Sequence, residues 1–248
     1  MIRQLFMGIA LLAAAGFQAA GYFMPAGGHP ADEIAGRLPV IFMPARFSAV
    51  LLLAVYPLLA LWVLRFRKGG EEAGLLNLRA GLFIGTCLAQ VAKLVAWQDG
   101  HFSAAILAGL LQVLLLAVLY FSYPRRLNSP AGRIPVSALF SWSLFCLLAI
   151  VHYTLEFHDW NGFGLSDPLW AILTNTFAAA VALHFLHHYG DRTFALVFAW
   201  NAAMVAFHNL LDEPFVTAAS LFLAGTAVVW TFLDMRKPVQ RLETAENE

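Results

Sequence analysis

Cations, amides and histidines set inside apolar runs are the residues of this chain best equipped for chemistry. Gln90, Lys93 and Trp97 recur at three- and four-residue spacing, which puts them on one face of a helix. Arg46 stands near the start of another apolar run, in FMPARFSAV, with Phe47 and Tyr56 after it. His152 and Glu156 lie four apart near the end of the run 134–157. His208 lies late in a further run, with Asp212 and Glu213 just beyond it. If these runs cross a membrane, a charge inside one costs ~3 kcal/mol or more unless it snorkels, pairs or lines a wet cavity. The chemistry on offer is recognition: Arg46 or Lys93 meeting the acidic group of an amphiphile in an outward-facing pocket. Snorkelling of both cations to the headgroups is the plainer alternative. Pairing with Glu156, Asp212 and Glu213 is another.

The string HFLHH puts His184, His187 and His188 on one helical face. Its HxxHH spacing is similar to the boxes of membrane di-iron desaturases and hydroxylases, which gather several such boxes on one side of the membrane. Here the other embedded histidines lie roughly 20 Å or more away by the helical rise. The three therefore read as water-facing residues at the end of a span, and only as weak candidates for a metal. No GxSxG, HExxH, P-loop or dinucleotide fingerprint occurs. No Asp or Glu sits mid-span to relay protons. Cys87 and Cys146 lie inside apolar runs and outside any CxxC, which reads as buried reduced thiols. Asn175 and Asn201 read as interhelical hydrogen-bonding amides. No residue is assigned a catalytic role, and the chain reads as a binder rather than an enzyme.

These residues need a scaffold, and composition points to one. The chain has 248 residues, 60% of them hydrophobic and 12% charged, against about 25% charged in a soluble domain. Apolar segments run over 2–24, 41–66, 78–98, 102–122, 134–157, 168–188, 193–211 and 214–235. Each is near the ~20 residues that cross a bilayer as a helix. The third is short and interrupted by Gln90 and Lys93. The expected fold is an all-α polytopic membrane bundle of about eight transmembrane helices. Arg3 and the small residues Ala13–Gly16 imitate a signal peptide, but the length of the first run predicts a retained helix. Pro57 predicts a kink in the second span. A net charge of +0 gives no footprint for nucleic acid.

Loop charge predicts the orientation. RFRKGGEE, PRRLNSPAGR, HHYGDR and the tail from Arg236 are basic, whereas ADEIAGR, QDGH, EFHDWNGFGLSD and LDE are mostly acidic. Basic loops stay cytoplasmic. Both termini then face the cytoplasm of what reads as a bacterial cytoplasmic membrane, and the WNGFG hinge faces out. Arg46, Lys93, His152, Glu156 and His208 could then gather in one outer layer.

The order of motifs resembles the TspO/MBR-like proteins, the tryptophan-rich sensory proteins, in their long bacterial branch with three extra C-terminal helices. Phe42, Pro44, Ala45, Phe47 and Tyr56 match the F-x-P-A-x-[YF] region and the aromatic-rich helix after it. Val95–Trp97 is similar to the family's A-W before a short turn, and Pro135 with Trp142 to its P-F-x-x-Y-x-G-W. WNGFG at 160–164 resembles its W-x-G-F-G hinge. The chain departs from the pattern at Leu52 and Lys93, where Trp is usual. It departs again at Arg46 in place of Gly, and at Gln90 and Ile150 in place of Asn.

The resemblance implies a TspO-like five-helix membrane part over 1–157. A three-helix extension would cover 158–236 and a polar cytoplasmic tail 237–248. It implies an aromatic cavity within the first five spans that takes an apolar, sterol-like or tetrapyrrole ligand, with porphyrin or haem as the cofactor-like occupant. Candidate ligand-binding residues are Arg46, Phe47, Tyr56, Gln90, Lys93, Trp97, Trp142, His152 and Glu156. Expected partners are membrane lipids and the small hydrophobic or tetrapyrrole ligand, with a homodimer as one open assembly. A transporter of a lipid-like or anionic amphiphilic substrate is a second reading, and a membrane metalloprotein using the histidines a third.

Overall fold

A computed structural model describes residues 2–23, 30–66, 73–124, 129–130 and 132–235. The helices are α1 (Ile2–Phe23), α2 (Ala31–Ala35), α3 (Leu52–Arg65), α4 (Ala73–Gln98), α5 (Phe102–Phe121), α6 (Ile134–Phe157), α7 (Asp167–Tyr189), α8 (Arg192–His208) and α9 (Pro214–Met235). A 3-10 segment, Arg46–Leu51, leads into α3, and another, Gly162–Gly164, forms the hinge before α7. No strand occurs among the described residues. Seven of the helical stretches are long and apolar enough to cross a membrane. The remaining long helix, α8, has 17 residues. At 1.5 Å per residue it reaches about 26 Å, just under the ~30 Å hydrocarbon layer. The protein is thus a polytopic helical bundle of about eight spans, with Leu53, Leu88, Leu107 and Phe222 exposed on its outer surface.

Helix α6 is the most buried of these spans. It packs on α5 and α3 on one side and on α8 and α7 on the other. Around it α1 packs on α4 and α3, α4 on α5, and α7, α8 and α9 on one another. Local rules set the helix limits. Pro135 and Pro168 occupy first turns, where a missing N–H has no partner to lose. Asp191 caps α8 by accepting from the Phe194 N–H at 3.1 Å. Gly190, at φ 61°, ends α7 in the left-handed region that glycine adopts freely. Two buried arginines sit at helix C-termini, where cations suit the exposed carbonyls. Arg79 donates to the Ser122 carbonyl at 2.6 Å after α5, and Arg133 to the Tyr189 carbonyl at 2.8 Å at the end of α7.

Two expectations change, the start of the second span and the interruption of the third. The second span begins at Arg46, not at 41. Pro44 disfavours helical geometry in the residue before it, and the Ala45 N–H donates to the Met204 carbonyl of α8 at 3.0 Å instead of to its own turn. Pro57 lies inside the continuous helix α3, and the departure from α geometry falls ahead of it, in the 3-10 segment. The third span is an uninterrupted 26-residue helix, because Gln90 and Lys93 find partners on neighbouring helices. Most of the basic residues behind the predicted orientation, in 67–72, 125–128 and 236–248, lie outside the described residues.

Candidate functional site

A cavity of about 370 Å³ opens at the end of the bundle that carries the hinge. Its walls come from α1, α4 and α6, and the segment Met43–Ala49 roofs it. Gly36, Arg46 and His208 are exposed at its rim. Trp97 and Trp142 supply flat apolar walls. Trp97 is held edge-on by Tyr153 and Phe102, with ring centroids 4.7 and 5.2 Å away. Such edge-to-face contacts are a favoured aromatic geometry. Among the described residues the lining includes no Asp or Glu, whereas Lys93, Arg46 and His208 belong to it.

The buried side of the cavity is polar in an ordered way. Lys93, 4% exposed, donates from Nζ to Gln112 Oε1 at 2.8 Å. Gln112, wholly buried on α5, donates from Nε2 to Gln90 Oε1 at 2.8 Å. Gln90 donates from Nε2 to Gln18 Oε1 on α1 at 2.7 Å. One hydrogen-bonded line thus ties α5, α4 and α1 together across the bundle. The line also explains Gly109, one turn from Gln112. A Cβ there would stand 3.4 Å from Lys93 Cδ and 3.1 Å from Leu147 Cδ1, so the glycine makes room for the lysine stem to reach its acceptor.

The roof is fastened to α8. Trp200 Nε1 donates to the Ser48 carbonyl at 2.9 Å, and Asn209 Nδ2 to the Ile41 carbonyl at 2.8 Å. With the Ala45 to Met204 main-chain bond, these satisfy backbone groups that the non-helical segment cannot satisfy itself. Phe47 packs edge-on against Phe207 of α8, with centroids 5.5 Å apart.

Of the residues singled out in the sequence, Arg46, Gln90, Lys93, Trp97 and Trp142 line the cavity, and His208 joins them. Phe47 turns outward to Phe207. Tyr56 borders a separate void of about 10 Å³, which Gln90 also borders. His152 makes a structural tie outside the cavity lining: its Nε2 lies 2.8 Å from Thr174 Oγ1 of α7, and its ring packs on Phe42. Glu156 lies outside the cavity lining. Lys93 does not snorkel; it turns into the bundle, and no carboxylate lies within ion-pair distance of it among the described residues.

Asn175 bridges helices, donating to Ser220 Oγ at 2.8 Å, but Asn201 donates within its own helix to Val197. At the opposite end of the bundle His188 packs against both other histidines of the cluster, tilted to His184 with centroids 4.5 Å apart and edge-on to His187 at 4.9 Å. No group of three or more ligating side chains suited to a metal occurs among the described residues.

Sequence reasoning misses Gln18, Gln112 and the cavity position of Cys146. Gln112 carried a readable signal. It is a lone amide in the otherwise apolar run LLQVLL, and such a group needs a partner across the bundle. Gln18, in GFQAAG, carried the same one.

A family model described as TSPO-like protein matches residues 4–233 of the chain. No curated protein and no solved structure matches it.

Proposed function

Since the chain belongs to the TSPO-like protein family, we propose that it is an integral membrane ligand-binding protein, a sensor or carrier for an apolar, sterol-like or tetrapyrrole molecule. The observation that carries this reading is the cavity of about 370 Å³ walled by Trp97 and Trp142. That volume lies at the lower end of the ~300–1,000 Å³ typical of small-molecule sites. The two indoles supply flat apolar contact, and Lys93 and Arg46 on the lining suit a ligand with an acidic group. Loop charge supports placement in a bacterial cytoplasmic membrane with both termini inside and the cavity end outside.

Titration with protoporphyrin, followed by tryptophan fluorescence, tests the reading. Saturable quenching is expected, and it should shrink in a Trp97→Phe, Trp142→Phe double variant. Quenching that never saturates, or that the double variant leaves unchanged, rules out this site.

A further inference from the structure

We infer that the buried end of the cavity is a subsite for one anionic head group, so that the ligand is a compact amphiphile bound acid-first against Lys93 and Gln90. The inference rests on the reading that the cavity takes a ligand, and it adds the sign, position and orientation of the head.

The Lys93 ammonium can donate three hydrogen bonds and accepts none. Gln112 must therefore turn its oxygen to Lys93, which leaves its NH2 for Gln90. Gln90 must then turn its oxygen to Gln112, which leaves its own NH2 for Gln18. One cation thus fixes the orientation of all three amides, which coordinates alone assign only by their network. Each amide oxygen already accepts a bond. Donor capacity is in surplus, because Lys93 and Gln90 both line the cavity and each has N–H groups beyond those in the line. Among the described residues the lining holds no carboxylate, and none lies within ion-pair distance of Lys93. A buried charge without a counter-charge is costly. A carboxylate or phosphate monoanion at this end would supply the missing charge and take up the spare donors.

The apolar part of the lining sets the rest of the ligand. Trp97, Trp142, Leu94 and Ile150 offer apolar surface alongside the lysine. The rim residues Gly36, Arg46 and His208 mark the way out. The head therefore enters deepest and the apolar body trails toward the mouth.

The test compares 11-bromoundecanoate with 11-bromoundecanol on the purified full-length protein in non-ionic detergent, using bromine quenching of tryptophan. The acid should bind about tenfold or more tightly than the alcohol, since a charge-assisted contact is lost with the charge. Lys93→Met should bring acid binding down to that of the alcohol, whereas Lys93→Arg should keep the preference. Equal binding of acid and alcohol by the wild-type protein overturns the inference while leaving the cavity a ligand site. So does an acid preference that survives in Lys93→Met. Failure of protoporphyrin and both bromo compounds to bind overturns this inference and the proposed function together. Adding phosphatidylglycerol to the micelles distinguishes the source of the anion: competition assigns the head to a lipid, and its absence to a free acid. Either result keeps the anion at Lys93.

Discussion

Lys93 and Gln112 face each other from adjacent helices at 2.8 Å, and the amide oxygen accepts from the buried ammonium. Gln112→Leu leaves Lys93 and the Gln90 oxygen without that partner. Amide bonds between membrane helices are worth about 0.6–1.7 kcal/mol, so a clear fall in thermal unfolding temperature is expected. Gln112→Glu makes the opposite change. It supplies the counter-charge from within but gives up the donor to Gln90, so it should cost less stability than Gln112→Leu and weaken binding of an acidic ligand. Scanning fluorimetry with and without ligand separates the two effects.

The roof ties should govern how long a ligand stays. Asn209→Ala removes the bond to Ile41, and Trp200→Phe removes the bond to Ser48. A net loss of about 1 kcal/mol each is typical of such bonds. Ligand dissociation measured by stopped-flow should accelerate several-fold in the double variant. An unchanged off-rate would show that the roof does not retain the ligand.

Gly109 offers a steric test of the lysine position. Its missing Cβ would meet Leu147 and the Lys93 stem at 3.1 and 3.4 Å. Gly109→Val should cost about 1–3 kcal/mol as overpacking and displace Lys93, so it should weaken acid binding more than alcohol binding. Gly81→Ala, with nothing within 4 Å of its added Cβ, is the matched control and should be close to silent.

The hinge predicts a difference between two neighbouring glycines. Gly162 and Gly164 both have positive φ, 60° and 81°. Only at Gly162 would a Cβ crowd Trp170, at 3.3 Å from Nε1, whose N–H donates to the Gly162 carbonyl at 2.8 Å. Gly162→Ala should therefore lower the unfolding temperature more than Gly164→Ala. Trp170→Phe should account for about 1 kcal/mol of that loss.

The legibility of the sequence followed the range of the interaction. Spans could be read from local hydropathy, and 134–157 coincides with α6 as observed. Lys93, Gln90, Trp97 and Trp142 stood out because polar and aromatic residues in apolar runs are conspicuous, and all line one cavity. What those residues touch was not local. Gln112 and Gln18 are 19 residues after Lys93 and 72 before Gln90 respectively, and nothing in their own helices names the partner. The same limit misplaced the start of the second span. Hydropathy carried it back to 41, because no local rule announces that Met204 will supply the acceptor for Ala45. His152 was drawn to the cavity rim by its position along α6, but its hydroxyl partner on α7 turns it elsewhere.

The bonds from residues 41–48 to α8 also set an order of manufacture. A chain emerges from the ribosome N-terminus first and its early parts fold before the later ones exist. Residues 43–49 are made long before Trp200, Met204 and Asn209, which hold them. The pocket must therefore pass through a stage in which its walls are inserted but its cover has no anchor. Only the arrival of the penultimate helix finishes it, so the enclosure is completed at nearly the last step of the protein's own synthesis.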